Sequence, residues 1–320
     1  MLVLTRSQIE ALLDTDTLID ALATAMAELS AGRVSAPERV AALVPEHDGL
    51  LAAMPGYVPS AGALVSKLVT LFPHNVDAPT HQAVIMAFDP ATGSPTALLD
   101  GTAITALRTA AGSALSARLL AREDASVLAI LGTGVQARSH ALAMRRVRDI
   151  KEIRVAGRSF EKASALALEL GGTAVSSYAE ALAGADIACA TTHAVEPVVR
   201  REWLSPGVHV TSVGYNPAGR EVDDATVAAA LVCVESRSAA LAPFPAGSSD
   251  LLGPIEAGVI TASHIHAEVG ELVAGTKHGR TSSEQITLYK SVGIAAQDAV
   301  AAALVIAAAT TQGVGQQIAL

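Results

Sequence analysis

Aromatic side chains are scarce in this sequence: one Trp, four Tyr and four Phe make up 3% of it. The 51% hydrophobic fraction therefore rests on aliphatic residues, with Ala allowing close helix packing, a composition that suits an α/β protein. Cysteine is scarcer still. Cys189 and Cys233 stand far apart with no C-x-x-C pair, which argues against a disulfide scaffold or a Cys-based metal site and fits a reducing compartment. Both read as small core residues. Positive charge is in deficit, with 22 Lys and Arg against 31 Asp and Glu for a net charge of −9. No basic stretch interleaved with aromatics is present, so nucleic acid is not expected as a partner. Long apolar runs are also missing. The most apolar stretch, AVAAALVIAAAT at 299–310, is about half the ~20 residues that cross a bilayer and reads as a buried helix. The opening MLVLTRSQIEALLD has one early Arg followed by acids, unlike a secretory signal. The expectation is a cytoplasmic protein with no membrane span.

At 320 residues the chain exceeds the size at which one core usually keeps growing, so about two domains are expected. Residues 7–32 read as a helix, with a capping box at Ser7 and Glu10, an apolar face of Leu18, Ile19, Leu22, Met26 and Leu29, and a stop at Gly32. ALVSKLVTLF (63–72) reads as a strand in which Lys67 is out of place. AVIMAFD (83–89) and PTALLD (95–100) form a hairpin, followed by an Ala-rich helix over 103–121. From residue 126 the pattern becomes short apolar strands alternating with helices: SVLAILG, EIRVAG, DIACATT, HVTSVG and LVCVES. Such alternation implies a doubly wound parallel sheet. The segment 243–290 matches neither pattern. A closing helix over about 291–311 has no strand after it and can pack back on the first domain.

The chemistry-bearing motif is VLAILGTGVQA (127–137), an apolar strand, a glycine turn and a helix start inside a βαβ unit, the arrangement that holds the diphosphate of a nicotinamide dinucleotide. Gly132 permits the tight turn, Gly134 lets the diphosphate approach the backbone, and Ala137 replaces the third glycine where helix and strand pack. Thr133, Val135 and Gln136 complete the turn and open the helix, whose free N–H groups attract phosphate. A bland alternative is a turn that only connects strand to helix. An Asp or Glu at the end of the second strand would favour NAD, but VAGRS offers Gly157, Arg158 and Ser159. Arg158 and Ser159, with Lys162 nearby, can hold a 2′-phosphate, so NADP(H) is expected over NAD(H). Read blandly, Arg158 is a solvated loop cation.

Outside this unit three cations stand out, Arg39 in SAPERVA, Lys67 in SKLVT and Arg108 in TALRTAAGSA. Converging on one place they would suit a small carboxylate, Arg binding it bidentately and Lys acting as a point charge with a proton to give. Taken singly, each reads as a surface residue. Together with KLVTLFPHN (67–75), THQAVIMAFDPATGSPTALLDG (80–101), ITALRTAAGSALSARLLAR (104–122), LGTGVQARSH (131–140) and TLYKSVGIAAQDAVAA (287–302), they make the chain resemble the ornithine cyclodeaminase/μ-crystallin family over nearly its whole length.

The resemblance implies an α/β protein with a Rossmann doubly wound parallel sheet at 121–290 for NAD(P). It also implies a discontinuous α+β domain for substrate and homodimerisation, built from 1–120 with 291–320. It places Arg39, Lys67 and Arg108 on the substrate carboxylate, with Lys67 beside the reacting carbon. Thr80, His81, Thr109 and Ser291 fall on the nicotinamide side, and Thr191 and Val213 at strand ends along the cofactor. Cyclodeaminases carry a GGDCPGK-like loop whose Asp serves as base, whereas this chain reads VGYNPAGREVD (213–223). Tyr215 and Asn216 stand there instead, neither a carboxylate base at neutral pH. Asp223 and Asp224 read as helix caps. His264 and His266 lack a third ligand, so no metal is expected.

The leading expectation is NAD(P)H-dependent reduction of a small 2-imino acid, or the reverse amino-acid dehydrogenation, with Lys67 and Arg108 catalytic and Asn216 a secondary hydrogen-bond partner. The alternatives are an ornithine- or lysine-type cyclodeaminase with bound NAD, and a crystallin-like ligand-binding protein without activity.

Overall fold

The computed structural model describes residues 1–216 and 218–319. In chain order the elements begin β1 (Leu2–Leu4), α1 (Arg6–Leu12), α2 (Thr15–Ser30), β2 (Val40–Val44), β3 (Gly49–Val58), β4 (Ala63–Leu71), β5 (His81–Phe88), β6 (Pro95–Asp100) and α3 (Gly101–Leu120). They continue β7 (Val127–Leu131), α4 (Val135–Val147), β8 (Glu152–Ala156), α5 (Phe160–Leu170), β9 (Thr173–Ala174), α6 (Tyr178–Leu182), β10 (Ile187–Ala190), β11 (His209–Ser212), α7 (Asp224–Ala229) and β12 (Leu231–Val234). The last are α8 (Arg237–Leu241), α9 (Ser249–Glu256), β13 (Ile265–Glu268), α10 (Val269–Val273), β14 (Thr287–Lys290), α11 (Ala295–Gln312) and β15 (Gln316–Gln317). The chain divides into two compact units, one of Met1–Arg108 with the chain from Ile294 onward, the other Thr109–Gly293.

The first unit holds a seven-stranded sheet in the order β15-β1-β6-β5-β4-β3-β2. β2 to β6 run antiparallel, and β1 lies parallel to β6. Register sets Lys67 opposite Met54 on β3 and Ile85 on β5, so all three side chains share one face. That face is covered by α11, which also packs on α2. Gly56 allows the close approach, since a Cβ there would come within 2.9 Å of the Ala295 Cβ.

The N-terminal helix expected over 7–32 is two helices. Asp14 ends the first by capping the second, accepting from the Thr17 N–H at 2.8 Å. The capping box sits at Thr5 and Gln8, not Ser7 and Glu10, with the Thr5 N–H donating to Gln8 Oε1 at 2.9 Å. Two equally good capping residues nine positions apart compete for one apolar stripe, and here both are used. The stop at Gly32 stands, with φ +72°.

The second unit is a Rossmann-like α/β layer structure with an eight-stranded sheet, β13-β12-β14-β11-β10-β7-β8-β9, every pairing parallel. Alternate residues feed two cores on its opposite faces. Ala129, Leu131, Val210, Val232 and Leu288 pack in one, and Leu128, Ile130, Ile153, Val155 and Cys189 in the other. Both cysteines are buried and unpaired.

Within 243–290, where the sequence shows no clean pattern, lies the central strand β14, between β11 and β12. Its four residues are all buried. A strand covered on both faces shows no alternation, and Thr287 and Lys290 at its ends disguise it further. The closing helix begins at Ala295 rather than 291. Residues 291–293 are drawn away by the carboxylate of Glu235, which accepts from the Ser291 hydroxyl and from the N–H groups of Val292 at 3.0 Å and Gly293 at 3.2 Å.

Candidate active site

In the second unit the turn after β7 is shaped by contacts that leave no room for side chains. Gly132 has φ +123°, and a Cβ there would lie 2.7 Å from Thr191 Oγ1 and 2.9 Å from the Thr191 carbonyl oxygen. Thr191, just past β10, donates its hydroxyl to the Leu131 carbonyl at 2.9 Å. Gly157 meets Thr133 in the same manner, its Cβ position 2.7 Å from Thr133 Cγ2. The structure thus gathers Gly132, Thr133, Gly157 and Thr191. Gly134, by contrast, is exposed and a Cβ on it would meet nothing within 4 Å. It is the N-cap of α4, without a side-chain cap, so the first N–H groups of the helix, that of Val135 among them, face ligand or water. Ala137 is fully buried, as close helix–strand packing requires. A backbone cradle closed at Gly132 and open at Gly134 fits a dinucleotide diphosphate.

Arg158 lies exposed just beyond β8, and Ser159 caps α5, its hydroxyl oxygen accepting from the Lys162 N–H at 3.2 Å. Val213 follows β11 and donates its N–H to Ala190 at 3.1 Å. Thr109 is buried on α3, and Ser291 is held by Glu235.

In the first unit the three cations do not behave as surface residues. Lys67 on β4 is 2% exposed, and its Nζ lies 3.3 Å from both carboxylate oxygens of Asp298 on α11. Arg108, 5% exposed, donates Nε to Asp298 Oδ1 at 3.1 Å and Nη1 to Gln297 Oε1 at 2.8 Å. Burial, aided by the nearby charges of Arg108 and Arg39, lowers the Lys67 pKa to about 8 against the opposing pull of Asp298. Half-buried Arg39 immediately precedes β2. His81 opens β5, and burial together with the fields of Lys67 and Arg108 lowers its pKa to about 4, so it is neutral at pH 7. Thr80 is exposed, its carbonyl accepting from the Phe72 N–H at 2.8 Å. Lys67, Arg108, Arg39 and His81 therefore form one cluster, in which buried cations outnumber the single carboxylate and a further anion is favoured.

Asp298 and Gln297 were missed by motif reading. The available signal was that Asp298 is the one charged residue of α11, and a lone acid in a buried helix needs a partner.

Asn216 is buried, its Nδ2 donating to the Ala194 carbonyl at 3.1 Å and its Oδ1 accepting from the Ala218 N–H at 3.0 Å. Its loop is anchored from beneath. Glu221 accepts from the Ser212 hydroxyl at 2.8 Å and the Gly214 N–H at 2.7 Å, and Lys290 bridges Asp250 at 2.8 Å and the Gly214 carbonyl at 2.8 Å. Asp223 caps α7 through the Thr226 N–H, and Asp224 pairs with Arg220. His264 and His266 bond to the carbonyls of Val227 and His278. Among the described residues no group of His, Cys, Asp or Glu is placed to hold a metal, and no helix is long and apolar enough to cross a membrane.

The family description "Ornithine cyclodeaminase/mu-crystallin family" matches residues 1–313. Ketimine reductase mu-crystallin of Mus musculus is 40% identical over 296 residues, covering 90% of both chains. Delta(1)-pyrroline-2-carboxylate reductase of Bacillus cereus is 38% identical over 328 aligned residues, covering 99% of both. Among solved structures, Delta(1)-pyrroline-2-carboxylate reductase of Thermococcus litoralis, in complex with NADH and L-proline, superposes with a TM-score of 0.94 at 38% identity, covering 99% of this chain and 100% of that one.

Proposed function

This chain belongs to the ornithine cyclodeaminase/mu-crystallin family, and on that premise we propose that it is an NAD(P)H-dependent enzyme reducing a small 2-imino acid to the L-amino acid, the reverse dehydrogenation being the same reaction run backwards. The observation that carries this reading is the buried cluster of Lys67 and Arg108, two cations sharing one carboxylate. Arg108 and Arg39 hold the substrate carboxylate, the guanidinium fork matching its geometry. Lys67 polarises the C=N bond and donates a proton to its nitrogen. A nicotinamide held by the turn after β7 would supply the hydride, the difficult part of the chemistry.

Gly132, Thr133, Gly134, Val135 and Gln136 hold the diphosphate, with Thr191 and Val213 along the cofactor. Thr80, His81, Thr109 and Ser291 serve the nicotinamide side. Arg158, exposed beyond β8, and Ser159, with Gly157 before them, give a preference for NADP(H) over NAD(H). Reduction is favoured over cyclodeamination because the loop after β11 offers an amide, Asn216, whose two ends already bond to Ala194 and Ala218, where deamination would need a carboxylate base.

The protein acts as a homodimer. Supporting this is an apolar row across the open sheet face, in which Val40, Ala53, Leu68 and Val84 stand opposite one another in register. Val40 is 68% exposed, Val84 44% and Leu68 41%, an unusual run for a monomer surface. A cytoplasmic location is in keeping with two unpaired cysteines.

The deciding experiment follows nicotinamide absorbance in both directions with amino acids, 2-oxo acids plus ammonia or methylamine, and preformed cyclic imines. Oxidation of NADPH by at least one imino acid is expected. Ammonia release from ornithine or lysine without added oxidant would replace this reading with cyclodeamination, and inactivity across the panel would sink it.

A further inference from the structure

The single carboxylate that joins Lys67 to Arg108 has no place in the roles just assigned, although it is the counter-charge that both cations share. Asp298 is fully buried and comes from α11, 231 positions from Lys67 in sequence. Both of its oxygens lie 3.3 Å from Nζ of Lys67, and one also accepts Nε of Arg108. Gln297, its neighbour on α11, takes Nη1 of Arg108. Two consecutive residues of one helix thus orient both cations from behind.

We propose that Asp298 is the positioning residue of this site: it fixes Lys67 and Arg108 relative to each other and keeps Lys67 protonated near neutral pH, so that Lys67 can deliver a proton to the substrate nitrogen. The inference rests on the imine-reductase reading. In the step it serves, hydride adds to the imine carbon and the C=N electron pair moves to nitrogen. That nitrogen takes a proton from Nζ of Lys67, and water reprotonates the neutral amine left behind.

The need for a counter-charge follows from everything that faces Lys67. On β3 and β5 its register neighbours Met54 and Ile85 are apolar and buried, so the ammonium is stripped of water. Arg108 from α3 and Arg39 ahead of β2 repel it. His81 on β5 is neutral at pH 7 and gives no help. Asp298 is the only negative charge acting on Lys67 among these groups, and with it the ammonium titrates at about 8. Without it, desolvation and two guanidinium charges act unopposed, and half or more of Lys67 would be neutral at pH 7.

The test titrates Lys67 directly in the full chain, by carbon-13 NMR of labelled lysine Cε, the signal being assigned by its loss in Lys67→Met. In Asp298→Asn the midpoint should fall by about 1–3 pH units. In Gln297→Glu, which sets a second carboxylate on Arg108, it should rise. The basic limb of the kcat profile for imine reduction should move the same way, with Asp298→Asn losing about fivefold or more at pH 8 for a one-unit shift and recovering as the pH is lowered. A residue that only braced the fold would lower kcat equally at every pH. An unmoved Lys67 midpoint in the folded variants overturns the proposal, and so does a rate profile that stays put while the midpoint moves. Should Asp298→Asn fail to fold, Gln297→Glu alone decides between these outcomes. A midpoint that moves in a protein reducing no imino acid would instead overturn the functional reading and with it Lys67's role as proton donor, leaving only the charge coupling.

Discussion

Gly132 and Thr191 approach so closely that the position after β7 admits no side chain: a Cβ on Gly132 would sit 2.7 Å from the Thr191 hydroxyl oxygen. The backbone there, with φ +123°, is one that L residues rarely adopt. Gly134, two residues on, faces open space. The two glycines therefore separate fold from ligand. Gly132→Ala should lose at least ~1 kcal/mol of stability together with nucleotide affinity. Gly134→Ala should leave thermal unfolding almost unchanged while weakening NADPH binding, read by fluorescence titration. Equal effects on both properties in both variants would contradict this division.

Lys67→Met and Arg108→Ala should each lower kcat by about 10²–10⁴-fold, with NADPH affinity little changed, because neither side chain is among the groups assigned to the cofactor. Steady-state kinetics beside equilibrium NADPH titration separates the two effects. Retained turnover in both variants would remove the mechanism.

Arg158→Ala should raise KM for NADPH about tenfold or more, the worth of one charge-assisted hydrogen bond, and leave KM for NADH unchanged. Parallel kinetics with the two cofactors measure the ratio, and an NADH preference already present in the unaltered protein would end the case for a 2′-phosphate site.

Lys290, 1% exposed on the central strand β14, is paired with Asp250, itself 2% exposed. Lys290→Met would leave that carboxylate buried without its counter-charge, held only by the N–H groups of Glu221 and Val222, and remove the bond to the Gly214 carbonyl. Denaturant unfolding should register a loss of about 3–5 kcal/mol. A loss under 1 kcal/mol would mean that the loop above relaxes and admits water.

Acid stability should depend on two buried histidines of the second unit. Burial lowers the pKa of His140 to about 4, opposed by the Gln136 carbonyl. Burial, with the charges of Arg280 and Arg148, lowers that of His209 to about 3. Both lie below the unfolded value of about 6.5, so on acidification the unfolded chain binds protons first. Their contribution is complete above pH 6.5 and is lost as the pH falls toward 4 for His140 and 3 for His209, with a slope of up to about 1.4 kcal/mol per unit for each. Unfolding curves across pH 4–7 should flatten in His209→Asn, and an unchanged slope would assign the acid lability to other groups.

Local information carried the sequence reading a long way. The strand, turn and helix around Gly132 are contiguous in sequence, so their pattern is visible locally even though Thr191 and Gly157 complete the turn from a distance. Alternation and glycine placement therefore revealed the parallel layers, the β5–β6 hairpin and the stop at Gly32. Lys67 drew attention because one charge in an apolar strand must be compensated, although the compensating group was invisible. What only the tertiary structure decided is pairing across distance. It brings Asp298 to Lys67 and Arg108, Glu235 to the turn at 291–293, and β14 to the middle of a sheet whose other strands precede it in sequence. In each of these cases the stabilising partner lies dozens to hundreds of residues away. No local propensity encodes such a contact, because its free energy exists only once the chain has closed around both groups and removed them from water.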